Sequence, residues 1–201
     1  MRIPFVMLLG FCAGSFCLPI AHAQDADIEE AGKSPLETKF VSDGQIRVSL
    51  CPGAITLTGR EDNLLRVSYT TRAGQESDVK VRIQVNGNQA SIRVRGCPHN
   101  NFQLKIEVPK SSNLYARMFA GEMNIDGIHG DKDVEIHAGQ LTMEVGSPQE
   151  IGHVDASVLS GDLEASAFDV SKGGLFRSFD HQGPGKFRVH AHVGAGQLEL
   201  R

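Results

Sequence analysis

The chain has 201 residues, with 24 acidic against 20 basic side chains, a formal net charge of −4, no Trp and 6% aromatic content. A slightly negative balance excludes nucleic acid as the main partner, since that role needs a concentrated basic face. The 22 glycines and scarce aromatics suit stacked short strands better than a helical core.

Residues 1–23 have the form of a secretory signal. Arg2 opens it, Phe5 to Ile20 carry the apolar stretch, and Ala21-His22-Ala23 is a small-x-small cleavage site. Gly10, Gly14, Ser15 and Pro19 break that stretch, which argues against a membrane anchor. Residues 24–45 are acidic and poor in apolar side chains, so they are expected to form a flexible leader. The remainder, 46–201, suits one domain. No later segment is apolar enough to span a bilayer, so the mature chain is expected to be secreted or periplasmic.

Beyond the signal the chain holds two cysteines, Cys51 and Cys97. In an oxidising compartment such a pair reads as a bridge, worth on the order of 4 kcal/mol for its loop length. No Cys-x-x-Cys is present to suggest redox or zinc chemistry. Leu65–Arg72, Val79–Val85 and Ala90–Val94 alternate between apolar and polar, and Asn86-Gly87 between the last two is a hairpin signal. Phe102–Val108 is a further strand before Pro109. One face of the hairpin carries Lys80, Arg82, Arg93 and Arg95. A solvated face that discourages edge pairing is the ordinary reading, and a docking face for an anionic ligand is the functional one.

The second half is built on a repeat: Ala120-Gly121-Glu122-Met123, Ala138-Gly139-Gln140-Leu141, Ser160-Gly161-Asp162-Leu163 and Ala195-Gly196-Gln197-Leu198. Counted from each Gly, the columns at −5, −3, +2 and +4 are apolar. Those at −6, −4, +1 and +3 are mostly polar. The inward phase slips once per copy, which a straight strand cannot accommodate but a bend at the Gly can. Gly53 fits the same register, with Val48, Leu50, Ile55 and Leu57 in its inward columns. The glycines stand 68, 18, 22 and 35 residues apart, an uneven series. The fold expected is therefore all-β: a degenerate β-solenoid or β-roll with corners at Gly53, Gly121, Gly139, Gly161 and Gly196, preceded by an antiparallel hairpin sheet.

His190 and His192 lie in outward columns of the last copy. If that copy stacks on the one before it, Asp155 neighbours His190 and Ser157 neighbours His192. Asp155, His190 and His192 are then candidate metal ligands, against the ordinary reading of two exposed histidines on a wet face. The outward acidic residues Asp133, Glu135, Asp155, Asp162, Glu164 and Glu199 supply no recognisable general acid–base pair. Gly173–Lys186, between the last two copies, reads as a hairpin or bulged loop whose Phe176 and Phe179 cap the stack.

The strand Phe102–Val108, its stop at Pro109, and the passage through Leu114 into repeated Ala/Ser-Gly-Asp/Glu/Gln-Leu/Met units resemble the bacterial putative-adhesin family of extracytoplasmic β-solenoid domains. The match runs over roughly 46–201. The resemblance implies Gly-cornered strands and, by the family's name, adhesion; it supplies no functional residues. The Cys51 and Cys97 pair and the Gly173–Lys186 insertion depart from that pattern. The function expected is a non-enzymatic envelope scaffold or adhesion module that binds through an extended β face. No cofactor is expected, and the partner is an envelope glycan or another envelope protein. The alternatives are a carbohydrate-active hydrolase or lyase with an acidic and His groove, and a self-associating subunit whose last strand offers an open edge.

Overall fold

The structure is a computed structural model that describes residues 25–201, so the signal assigned to 1–23 lies outside the described residues. The elements alternate apolar and polar along almost their whole length, which is why strands form and why each buries one face. In chain order they are β1 (Ala26–Ala31), β2 (Leu36–Lys39), β3 (Gly44–Leu50), β4 (Gly53–Arg60), β5 (Leu64–Thr70), β6 (Lys80–Asn86) and β7 (Gln89–Arg95). There follow β8 (Gln103–Pro109), β9 (Ser112–Asp126), β10 (Lys132–Met143), β11 (Ile151–Ala165), β12 (Val170–Gln182) and β13 (Phe187–Leu200). No α-helix occurs among the described residues, and none of their segments is a helix able to cross a membrane.

The strands form one large mixed sheet. β9, β10, β13 and β11 lie side by side in parallel, in the register that sets Gly121, Gly139, Gly196 and Gly161 in a row. Each long strand is thus two arms joined at a Gly. The first arm of β9 pairs with β3 and its second arm with β4, Gly53 facing Gly121. From β9 the first-arm ladder continues through β3, β7, β6 and β1, and the second-arm ladder through β4, β8, β5 and β2. The inward columns of both ladders belong to one apolar core, in which Ile46, Ile55, Ile83, Ile106, Met123 and Leu141 are fully buried.

The corner requires glycine for two reasons. Gly139 has φ +132°, a conformation that side chains rarely adopt, and a Cβ there would stand 1.9 Å from the Gly121 carbonyl oxygen. The −2 column beside the corner drops out of the pairing and projects outward. Phe119 is exposed there and stacks on His137 with centroids 5.0 Å apart.

Three features differ from the sequence reading. Where a flexible leader is expected over 24–45, the described residues hold strands: β1 adds to β6 and β2 to β5. β1 is held by its ladder to β6 and by Ala26 and Ile28 packed against the core, and Arg82 meets Asp27 at 2.8 Å and Glu29 at 3.5 Å on its outer side. The insertion Gly173–Lys186 is mostly strand. β12 runs antiparallel along β11 and contributes a further glycine, Gly174, opposite Gly161. Finally, β13 sits between β10 and β11, so β13 is interior and, among the described residues, β12 ends the sheet on that side.

One inward position is charged. Lys132 stands between Leu114 and Val189 in a buried row and is 2% exposed. Burial pushes its ammonium down to about 8, against the attraction of Glu144, Asp131 and Glu150. A lysine whose folded pKa lies below its unfolded value of 10.5 binds fewer protons when folded, so stability rises with pH between about 8 and 10.5. Lys132→Met is expected to stabilise the protein by about 1–3 kcal/mol at pH 7. That gain should shrink as pH rises through this window, as measured by urea midpoints of both proteins; a gain independent of pH overturns the assignment.

Candidate functional site

Outward side chains of the sheet fall into two wet faces, one on each arm. Strand pairing fixes their neighbours, because residues in register stand side by side at about 4.8 Å.

On the first arm the −6 column brings together Arg47, Tyr115, Asp133, His190 and Asp155, and the −4 column Ser49, Arg117, Glu135, His192 and Ser157. Arg117 organises the centre. Its guanidinium lies 3.9 Å from the Tyr115 ring centroid, donates to Asp133 Oδ1 at 2.9 Å and meets Glu135 Oε1 at 2.9 Å. His190 Nδ1 is 3.2 Å from Asp155 Oδ2, and His192 Nδ1 is 2.9 Å from Ser157 Oγ. The neighbours proposed for the two histidines are thus adjacent, but the three candidate metal ligands do not gather round one point. The ligand-type atoms that approach within 4.8 Å of one another are those of Asp133, Glu135 and His190. Arg117 already bridges the two carboxylates, so a cation would have to displace a bonded guanidinium.

The basic face lies on β6 and β7 at one end of this arm, where Lys80 faces Arg95 and Arg82 faces Arg93 across the ladder. Like charges set directly opposite destabilise a pair. β1 relieves one of these pairs, since Arg82 Nε and Nη2 donate to Asp27 at 3.0 and 2.8 Å. Lys80, Arg82, Arg93 and Arg95 all line one open groove of about 400 Å³, together with Glu29 and Asp78. That groove is mixed in charge, not uniformly basic.

A larger groove, of about 630 Å³, opens on the second arm across β5, β8, β4 and β9. Most of its hydrogen-bonding groups are neutral, namely Thr56, Ser68, Thr70, Gln103 and Asn124, with Lys105 between Ser68 and Thr56 and Glu122 beside Ala54. Register explains the lining. Thr70 lies opposite Gln103, Ser68 opposite Lys105, Lys105 opposite Thr56, and Thr56 opposite Asn124. Glu107 fixes Lys105, accepting from its Nζ at 3.1 Å, from Arg60 Nη1 at 3.0 Å and from Arg66 Nη1 at 3.2 Å. Burial pushes the Glu107 carboxyl up, but the hydrogen bonds from Lys105, Arg66 and Arg60 outweigh it and hold the group down at about 2. Sequence reasoning missed this groove. No local signal marked it, since the outward positions of β8 are Gln103, Lys105 and Glu107 and those of β5 include Arg66, as on an ordinary solvated face.

Cys51 and Cys97 form a disulfide, with Cα atoms 6.0 Å apart. It joins the corner before Gly53 to the segment after β7.

No family model matches the chain, and no curated protein matches it. Among solved structures the chain is similar to a putative cell adhesion protein from Clostridium sporogenes, at 14% identity and a TM-score of 0.47, over 84% of this chain and 100% of that one. It is also similar to a putative adhesin from Bacteroides fragilis (10% identity, TM-score 0.37, 88% and 97% of the two chains). A third similarity is to a putative adhesin from Parabacteroides merdae (11% identity, TM-score 0.29, 83% and 80%). At these scores the likeness transfers neither a ligand nor a residue role.

Proposed function

We propose that the chain is an exported, non-enzymatic binding module of the cell envelope, and that it holds an envelope glycan along the outer face of its second arm. The architecture that supports this is a degenerate β-solenoid. A straight 15-residue β9 would be about 50 Å long, whereas the five residues between β9 and β10 reach at most about 18 Å. Parallel neighbours with so short a link are possible only if each strand turns back at its Gly and coils round the core. The disulfide and the signal-like residues 1–23 support export, since disulfides persist in oxidising compartments.

The observation that carries the binding reading is the 630 Å³ groove lined by Thr, Ser, Gln and Asn. Hydroxyls and amides both donate and accept, as a polyol ligand requires, and the register repeats them from strand to strand. Of the second-arm carboxylates only Glu122 lines the groove, with no His beside it, and the paired carboxylate and His groups lie on the other arm. There Asp155 and His190 are half exposed to water and paired with each other.

Calorimetric titration with soluble glycan strands of peptidoglycan tests the reading. The wild type should bind, the double variant Gln103→Ala/Asn124→Ala should bind at least about tenfold more weakly, and Asp155→Ala should bind unchanged. An unaltered affinity in the double variant overturns the groove assignment. New reducing ends released by the wild type and absent with Asp155→Ala would establish the hydrolase instead.

A further inference from the structure

The outward face of β6 and β7 sets like charges against each other on two successive rungs, Lys80 opposite Arg95 and Arg82 opposite Arg93. Arg82 is compensated, because its Nε and Nη2 donate to Asp27 and its Nη1 lies 3.5 Å from Glu29. The other three cations are not. Lys80, Arg93 and Arg95 form no ion pair with any of the described residues, and the strand on the far side of β7 offers Ser49 beside Arg93 and no acid. All three are exposed and line the same groove. Directly opposed like charges stand about 5 Å apart, so their repulsion destabilises the bare fold.

The backbone beneath these side chains is fixed. β7 is an interior strand, bonded to β6 on one side and to β3 on the other. Past its end, Gly96 has φ +72° and abuts Asp78 so closely that a Cβ there would stand 2.0 Å from the Asp78 carbonyl oxygen. Cys97 follows and is tied to Cys51 by the disulfide. The groove of about 400 Å³ falls in the size range of small-molecule sites. Register places its two carboxylates at the margins, Glu29 on β1 outside Arg82 and Asp78 beyond the Lys80–Arg95 rung. An extended polyanion lying along the groove would meet both of them. A compact anion seated among Lys80, Arg93 and Arg95 need approach neither.

We propose that this groove binds a phosphomonoester group. Two guanidiniums offer planar forks that match phosphate oxygens, and Lys80 adds a compact third charge. A phosphomonoester brings about 1.5 to 2 negative charges at neutral pH and three acceptor oxygens. A carboxylate brings one charge and two oxygens, and so answers fewer of the three cations. A soluble sugar or glycerol phosphate and a lipid headgroup present the same chemistry to the groove. The site lies on the first arm, apart from the second-arm groove, and stands whether or not that groove holds a glycan.

Thermal melts and calorimetry of the mature protein with glycerol phosphate test the site. The wild-type melting temperature should rise by about 5 °C or more once the ligand exceeds its dissociation constant about a hundredfold. Arg93→Gln/Arg95→Gln should melt no lower than the wild type without ligand, since it removes a repulsion, and should lose most of that rise. Its affinity for glycerol phosphate should fall at least about tenfold, while Gln103→Ala/Asn124→Ala should bind it unchanged. Acetate at matched ionic strength should give no comparable rise. A second arm uses phosphatidylcholine vesicles with and without phosphatidic acid. Retention on phosphatidic acid by a protein that ignores glycerol phosphate, lost in the Arg93/Arg95 variant, assigns the lipid headgroup as the source. A protein that answers neither probe, an acetate response equal to that of the phosphate, or an Arg93/Arg95 variant that binds like the wild type overturns the proposal.

Discussion

Gly139→Val is expected to destabilise the protein by more than about 4 kcal/mol, while Gln140→Ala next to it should cost less than about 1 kcal/mol. Gly139 lies between Gly121 and Gly196 in the middle of the ladder, so it cannot move away from one neighbour without striking the other. A valine brings two separate penalties. It resists φ +132°, and its Cβ would have to occupy a point 1.9 Å from a carbonyl oxygen. Relief requires the strands to part, which breaks ladder hydrogen bonds on both sides and opens the core beneath Ile136 and Leu141. Gln140 points to water and only its exposed contacts are lost. Urea melts of the two variants provide the test, and equal losses would remove the corner assignment.

Glu107→Gln is expected to cost about 3 kcal/mol at pH 7, because it leaves Arg60, Arg66 and Lys105 around a group that no longer carries charge. The carboxyl is 5% exposed, while Arg60 and Lys105 reach it from partly open positions, so solvent screens part of this interaction. Its folded pKa of about 2 lies below the ordinary value of 4.5. The depressed value means that the folded state binds the proton less readily than the unfolded state. The stabilisation is therefore fully present above about pH 5 and is lost as pH falls through 4.5 towards 2, amounting to about 3 kcal/mol over that window. Urea midpoints of the wild type and Glu107→Gln should lie far apart at pH 7 and converge near pH 2. A gap that stays constant with pH would show that Glu107 acts through packing alone.

The corner register was legible because five segments share the same apolar columns about a glycine, Gly53 among them. Legible too were the hairpin at Asn86-Gly87 and the adjacency of Asp155 with His190. The order of the rungs was not. Ala116, Val134, Ala156 and Ala191 offer near-equivalent inward faces, so any parallel order buries about the same surface, and nothing local places β13 between β10 and β11. β12 carried no periodic signal because almost no side chain between Ser171 and Ser178 is buried. β1 was misread for a related reason: Asp27 is held by Arg82, 55 residues away, and an acidic segment looks solvated until its cationic partner is known. The second-arm groove was hidden because a wet column of Thr, Gln and Asn is indistinguishable in sequence from any other solvated strand face.

The interior position of β13 sets the order in which the protein can mature. The sheet has a gap between β10 and β11 until Phe187–Leu200 arrives, since both of those strands hydrogen-bond to β13 and not to each other. A nascent chain that lacks this segment can assemble the N-terminal ladders through β10, but β11 and β12 have no docking site on that partial body. Contacts that join such distant segments form late. The β11–β12 pair therefore joins the rest of the sheet only once β13 is in place. A single insertion of β13 closes the sheet and fixes every rung after Gly139 together.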